Sequence, residues 1–234
     1  MNAEELLAQY LTGERTFARA DLHEVDLERA SLNGISLCSA NLHGAILVGA
    51  KLNGADLSAA DLSHSKLKRA ILREADLTAA DLSHADLSSA KLVGAILSEA
   101  ILTGADLSSA NLWQVDLSQA RLDQAEFTGA NLSNAYLCGA SLQEADLWGA
   151  DLTRAILRDA NLSQAILREV DLSRAILRRA NLQGANLNGA ILSSANLTGA
   201  DLSGAYLNEA DLSRAILTDA NLAGATMPDG SIHD

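Results

Sequence analysis

The chain has 234 residues, a formal net charge of −13 at pH 7, 48% hydrophobic residues and only 3% aromatics. So acidic a chain is a poor direct ligand for nucleic acid, whose affinity for proteins comes from basic residues. So few aromatics exclude an ordinary globular core, and the hydrophobic fraction excludes disorder.

Residues 1–16 form the first element. Asn2 is placed to cap a helix with Glu5 at its third position. Leu6, Leu7, Tyr10 and Leu11 give it an apolar stripe, and Gly13 can end it. A short α-helix is expected, covering whatever follows.

From Phe17 to Met227 every fifth residue is Leu, Phe or Met, so forty-three pentads run without an insertion. Call the Leu position i. Ala dominates i−2, Asp or Asn is frequent at i−1, and small, polar or charged residues fill i+1 and i+2, as in Ala55-Asp56-Leu57-Ser58-Ala59. On a helix five residues advance Leu by about 140° net per pentad, which spirals the leucines around every side. In an extended segment i−2 and i share one face and i−1 takes the other. Residues i−2 to i therefore read as a short strand with Ala and Leu inside, and i+1 and i+2 as a corner. Gly at i+2, as in Gly44, Gly49, Gly54 and Gly94, suits such a corner. Corners repeated at a fixed period give a parallel β-helix, a solenoid whose repeats contact only their neighbours. Proline is absent until Pro228, as a backbone ladder requires. Val25, Ile35, Val115 and Val170 widen the coil at i−2, and Ser65, buried there, needs a hydrogen-bond partner.

The A(D/N)LXX pattern from Phe17 to Met227 resembles the pentapeptide-repeat family. The resemblance implies an all-β fold, a right-handed quadrilateral β-helix with four repeats per coil. Forty-three pentads then make between ten and eleven coils, a rod about 50 Å long. The domain plan is a capping helix over 1–16, a β-helix over 17–227 and a tail over 228–234. Met1-Asn2, Tyr10, Gly13 and the tail Met227-Pro228-Asp229-Gly230-Ser231-Ile232-His233 are similar to the ends of cyanobacterial members, among them the one implicated in heterocyst differentiation, which acts through protein partners.

No apolar run is long enough for a signal-peptide core or a membrane span, so a soluble, cytoplasmic protein without membrane contact is expected. Cys38 and Cys138 stand five coils apart, too far to bridge. There is no phosphate-cradling loop, no metal-ligand spacing and no nucleophile with a base, so no catalytic residue, no cofactor and no enzymatic activity are expected. His23, His43, His64 and His84 fall on one side of four successive coils; surface residues, a pH-sensitive patch and a metal row are the open readings. Trp113 and Trp148 occupy i+1 corners, where exposure is expected.

The expected function is that of an interaction or scaffold protein with a protein partner, without direct nucleic-acid binding. The alternative is mimicry of nucleic acid: some members of the family resemble duplex DNA in width and charge and bind type II topoisomerase. Sorting i−1 residues by a 20-residue coil gives one side that turns apolar toward the C-terminus. Its candidate interaction face comprises Ile96, Tyr136, Ile156, Ile176 and Ile216 with Arg158, Arg178 and Arg179 beside them. Ile46, Ile71, Ile101, Ile166 and Ile191 occur at i−1 on other sides. The arginines belong to a basic stretch with Arg154, Arg168 and Arg174, which holds few acids: Asp151, Asp159, Glu169 and Asp171. The short tail leaves the last coil poorly covered, so weak end-to-end pairing of two copies through it is expected.

Overall fold

The computed structural model describes residues 1–234. Each i−1 residue pairs in parallel with the residue twenty positions on, from Thr16 with Ser36 to Tyr206 with Thr226. The offset never changes, so four pentads make one coil and the coil has four sides.

Three hydrogen bonds per pentad run between coils. The Leu57 N–H donates to the Asp76 carbonyl of the next coil at 2.7 Å, and the Ala59 N–H to the Thr78 carbonyl at 2.8 Å. The Asp56 N–H donates backward to the Ile35 carbonyl at 2.9 Å. A fourth closes the corner, from the Ala60 N–H to the Leu57 carbonyl at 3.1 Å. Only the i−1 residue bridges on both edges, so each side is a single bridge and not the three-residue strand expected. The corner takes up the rest of the pentad.

Every i+2 residue from Arg19 to Gly224 has a positive φ, charged, polar and glycine residues alike. A non-glycine residue such as Ala59, at φ 53°, gives up about 1 kcal/mol there. The inter-coil and corner bonds hold it in place. Glycine does more at Gly184: a Cβ would stand 2.1 Å from Gln164 Nε2, and its absence lets that side chain cross to the Gln183 carbonyl at 3.4 Å.

Leu at i and Ala at i−2 are buried in one continuous column along the rod. Val25, Ile35, Val115 and Val170 are buried with them. The Ser65 hydroxyl, also buried, donates to the Leu62 carbonyl at 2.6 Å, which meets its need without another side chain.

The helix α1, Ala3–Leu11, has the expected reciprocal cap: the Glu5 N–H donates to Asn2 Oδ1 at 2.9 Å and the Asn2 N–H to Glu5 Oε2 at 3.1 Å. Leu6 is fully buried, and Ala3, Leu7 and Tyr10 pack against the core. The Tyr10 hydroxyl donates to the Asn33 carbonyl at 2.8 Å, and the Arg15 guanidinium lies 3.9 Å over its ring. Leu11 departs from the expected stripe, 83% exposed at the last helical position.

At the other end the tail folds back. Ile232 pairs antiparallel with Thr226, the Gly224 N–H donates to the His233 carbonyl and the His233 N–H to the Ala225 carbonyl, both at 2.8 Å. This covers one side of the last coil. On the other three, the N–H groups of Leu212, Leu217 and Leu222 make no backbone bond, and those side chains are only half-buried.

Candidate functional site

The consensus at i−1 follows from the one amide that the coil leaves over. The i+1 N–H has no backbone acceptor, and Oδ1 of an Asp or Asn two residues earlier takes it. Ser58 donates to Asp56 at 3.1 Å, Thr78 to Asp76 at 2.9 Å, Ser108 to Asp106 at 2.8 Å and Ser133 to Asn131 at 3.0 Å. This is the local turn that short Asx side chains favour. Where Lys51 or Tyr206 holds i−1, an Asn one coil back substitutes: Asn53 donates to Asn33 Oδ1 and Asn208 to Asn188 Oδ1, both at 3.1 Å. The Ser213 hydroxyl and then its amide lower the Asp211 pKa. Burial opposes the same effect at Asp56, yet bonds from Ser58 and Ser36 hold its pKa below the usual value. Replacing Asp106 by Ala should therefore cost about 1–3 kcal/mol, the desolvation penalty of a part-buried donor without acceptor, while Asn in its place should cost little. Chemical denaturation of the two variants checks this.

The candidate face lacks that acceptor on three successive rungs. Asp116, Tyr136, Ile156, Ile176, Asn196 and Ile216 pair one with the next, so the side sorted from the sequence is one physical row. Tyr136 is 48% and Ile176 37% exposed, with Ile156 half-buried between them. Asp116 separates Ile96 from this run, and Asn196 separates Ile216. The contiguous part is thus Tyr136–Ile156–Ile176. Their corners give up the Asx acceptor, and the N–H groups of Arg158 and Arg178 make no backbone bond.

Arg158, Arg178 and Arg179 are exposed along one edge of the row. Arg179 grips Asp159 with two bonds, Nε to Oδ1 at 2.6 Å and Nη2 to Oδ2 at 2.7 Å, and Arg158 Nε lies 3.6 Å from Oδ2. The Arg179 bonds, with the charges of Arg179, Arg158 and Arg178, lower the Asp159 pKa. The opposite edge also carries arginines. Arg154 and Arg174 stand two residues before Ile156 and Ile176, exposed at the preceding corner in consecutive coils. The same 20-residue sorting would have found them, had corners been assigned to both sides they join.

The four histidines lie along one side, but His23 stands outside the ring contacts of the other three. His23 Nδ1 lies 2.8 Å from Asp21 Oδ1, and that hydrogen bond raises its pKa. His43, His64 and His84 touch in sequence, with ring centroids 5.4 and 5.2 Å apart, the second pair stacked. No three His, Cys, Asp or Glu side chains converge where they could hold a metal ion. Trp113 and Trp148 are 40% and 49% exposed, on different corners. Cys38 and Cys138 are free thiols. No helix is long and apolar enough to cross a membrane.

The family model described as pentapeptide repeats matches residues 20–58, 55–92, 85–124, 120–159, 155–193 and 195–229. Among solved structures, HetL, a pentapeptide repeat protein involved in heterocyst differentiation regulation from the cyanobacterium Nostoc sp. Strain PCC 7120, is 42% identical over 100% of both chains, with a TM-score of 0.38. The pentapeptide repeat protein Rfr23 from the cyanobacterium Cyanothece 51142 is 39% identical over 42% of this chain and 64% of its own, with a TM-score of 0.38. QnrB1, a plasmid-mediated fluoroquinolone resistance protein, is 20% identical over 80% of this chain and 83% of its own, with a TM-score of 0.40. None of the curated proteins matches the chain. With the repeat matched almost from end to end and HetL aligned along its whole length, this chain belongs to the pentapeptide-repeat family.

Proposed function

We propose that this chain is a non-enzymatic interaction protein of the cytoplasm, a right-handed four-sided rod that presents the Tyr136–Ile156–Ile176 face to a protein partner. One observation carries the reading. Nowhere else do apolar i−1 residues stand on consecutive rungs: Ile46, Ile71, Ile101, Ile166 and Ile191 each have polar residues on both neighbouring rungs. Rows such as Lys51–Ile71–Lys91 also lack the Asx acceptor on three successive rungs, but only this face leaves three large apolar side chains in water there. Apolar surface with an arginine border is the composition of interfaces. HetL, 42% identical, is involved in heterocyst differentiation regulation, and we extend to this chain a regulatory role. Mimicry of nucleic acid has less support, because Asp56, Asp61, Asp76 and Asp106 each turn an oxygen onto a corner amide. To the open last coil we assign weak end-to-end pairing of two copies.

The double variant Ile156→Asp/Ile176→Asp restores the consensus at both rungs, so its melting temperature should hold or rise. Affinity capture followed by mass spectrometry should then lose at least one protein that the parent retains. An unchanged set of captured proteins would show that this side is only a wall of the rod.

A further inference from the structure

Three arginines around the candidate face have no carboxylate within ion-pair distance. The rod's ion pairs are His23–Asp21, Arg29–Glu28, Arg158–Asp159 and Arg179–Asp159, which leaves Arg154 and Arg174 on one edge and Arg178 on the other. All three are exposed. In a chain of net charge −13, partners for them would be easy to supply. The acids nearest the first edge, Asp151 and Asp171, turn Oδ1 to the amides of Thr153 and Ser173 at 2.8 Å instead. Asp159 is occupied by Arg179.

The dimensions say what fits between the two edges. Arg154 and Arg158 are four residues apart, at most about 14 Å along the chain. Tyr136 to Ile176 spans two rungs, about 10 Å along the rod. Apolar residues at i, i+3 or i+4 and i+7 of an α-helix span about 10.5 Å. A helix lying along the rod would set those residues on the three rungs, with its flanks over the two arginine edges.

Resting on the reading of this face as an interface, we propose that its partner is an acidic amphipathic helix, whose apolar stripe packs on Tyr136, Ile156 and Ile176 and whose Asp and Glu residues pair with Arg154, Arg174 and Arg178. The apolar row between the edges sets this occupant apart from a nucleic-acid backbone, which would meet isoleucine where it needs charge. Opposite charges flanking an apolar stripe fix orientation and raise the rate of encounter.

The test is selection of a displayed random peptide library, about 15 residues long so that the seven-residue spacing fits, against the full-length rod. The expected result is enrichment of peptides with that apolar spacing and acidic flanks. Their affinity should fall about tenfold or more on the triple variant Arg154→Glu/Arg174→Glu/Arg178→Glu, and fall with salt. These arginines make no bonds within the rod beyond their own backbone, so the variant should melt with the parent. Arg→Gln at the three positions gives the same comparison if it does not. Neutral or basic peptides whose binding needs Ile156 and Ile176 but ignores the arginines would overturn this inference and leave the interface standing. No enrichment, or peptides indifferent to Ile156→Asp/Ile176→Asp, would overturn both. Oligo(dT) bound as tightly as the peptides and lost with the arginines would assign the face to nucleic acid.

Discussion

Replacing Leu112 by Ala should destabilise the rod by about 2–5 kcal/mol, the range for truncating a buried leucine. Leu112 is fully buried on the axis. Its column neighbours, Leu92 and Leu132, belong to the adjacent coils. Both gaps are pinned by backbone bonds, from the Leu92 N–H to the Asn111 carbonyl at 2.8 Å and from the Leu112 N–H to the Asn131 carbonyl at 2.7 Å. A coil that cannot close on the cavity keeps the whole void, which favours the upper part of the range. Ser108→Ala is the control, because the amide that Asp106 accepts stays in place; about 0.5 kcal/mol or less is expected. Chemical denaturation gives the comparison, and equal costs would overturn the assignment of inside and outside. Because repeats contact only their neighbours, hydrogen exchange should quicken first around residues 92–132.

Leu6→Asp should convert a protein with one open end into one with two. Leu6 is fully buried among apolar residues where α1 meets the first coil, so a carboxylate there is taken out of water. Burying it unpaired costs several kcal/mol, more than a nine-residue helix can offset, so α1 should lift away. The first coil then presents unpaired edge and apolar interior, the combination that templates further pairing. Light scattering should show the parent as a monomer in weak exchange with a dimer, and the variant as larger, concentration-dependent chains. A variant with the parent's size distribution would mean that α1 does not protect the first coil.

Much of the architecture was written in the frame itself. Leu at i and Ala at i−2 can share an inner face only in extended backbone, and both are buried. Asn2 and Glu5 announce the cap of α1. Other features depend on groups that meet only across coils. The side shrinks to one bridge because the corner, closed by the Leu57–Ala60 bond, claims the residues on either flank. Positive φ at Arg154 or Glu99 runs against local preference, and the inter-coil bond at i+2 decides it. The preference for Asp or Asn at i−1 answers an i+1 amide that has no other acceptor, a need that shows only once the coil's backbone bonds are in place. Of the candidate face, the row from Tyr136 to Ile176 and the Arg158–Arg178 edge were legible from register alone. Arg154 and Arg174 were not, since a corner residue belongs to two sides and the sequence numbers it with only one. Leu11 and the folded-back tail turn on chain ends, where no periodicity constrains the path.

The constant offset of twenty separates two units of change. Loss or gain of five residues preserves every inside position, so the protein still folds, but everything downstream turns by one side and Ile216 leaves the line of Ile176. Only a change of twenty keeps both the core and the alignment of a face. Repeat slippage in the gene can therefore lengthen or shorten this rod in single pentads, while selection on its surface counts in whole coils.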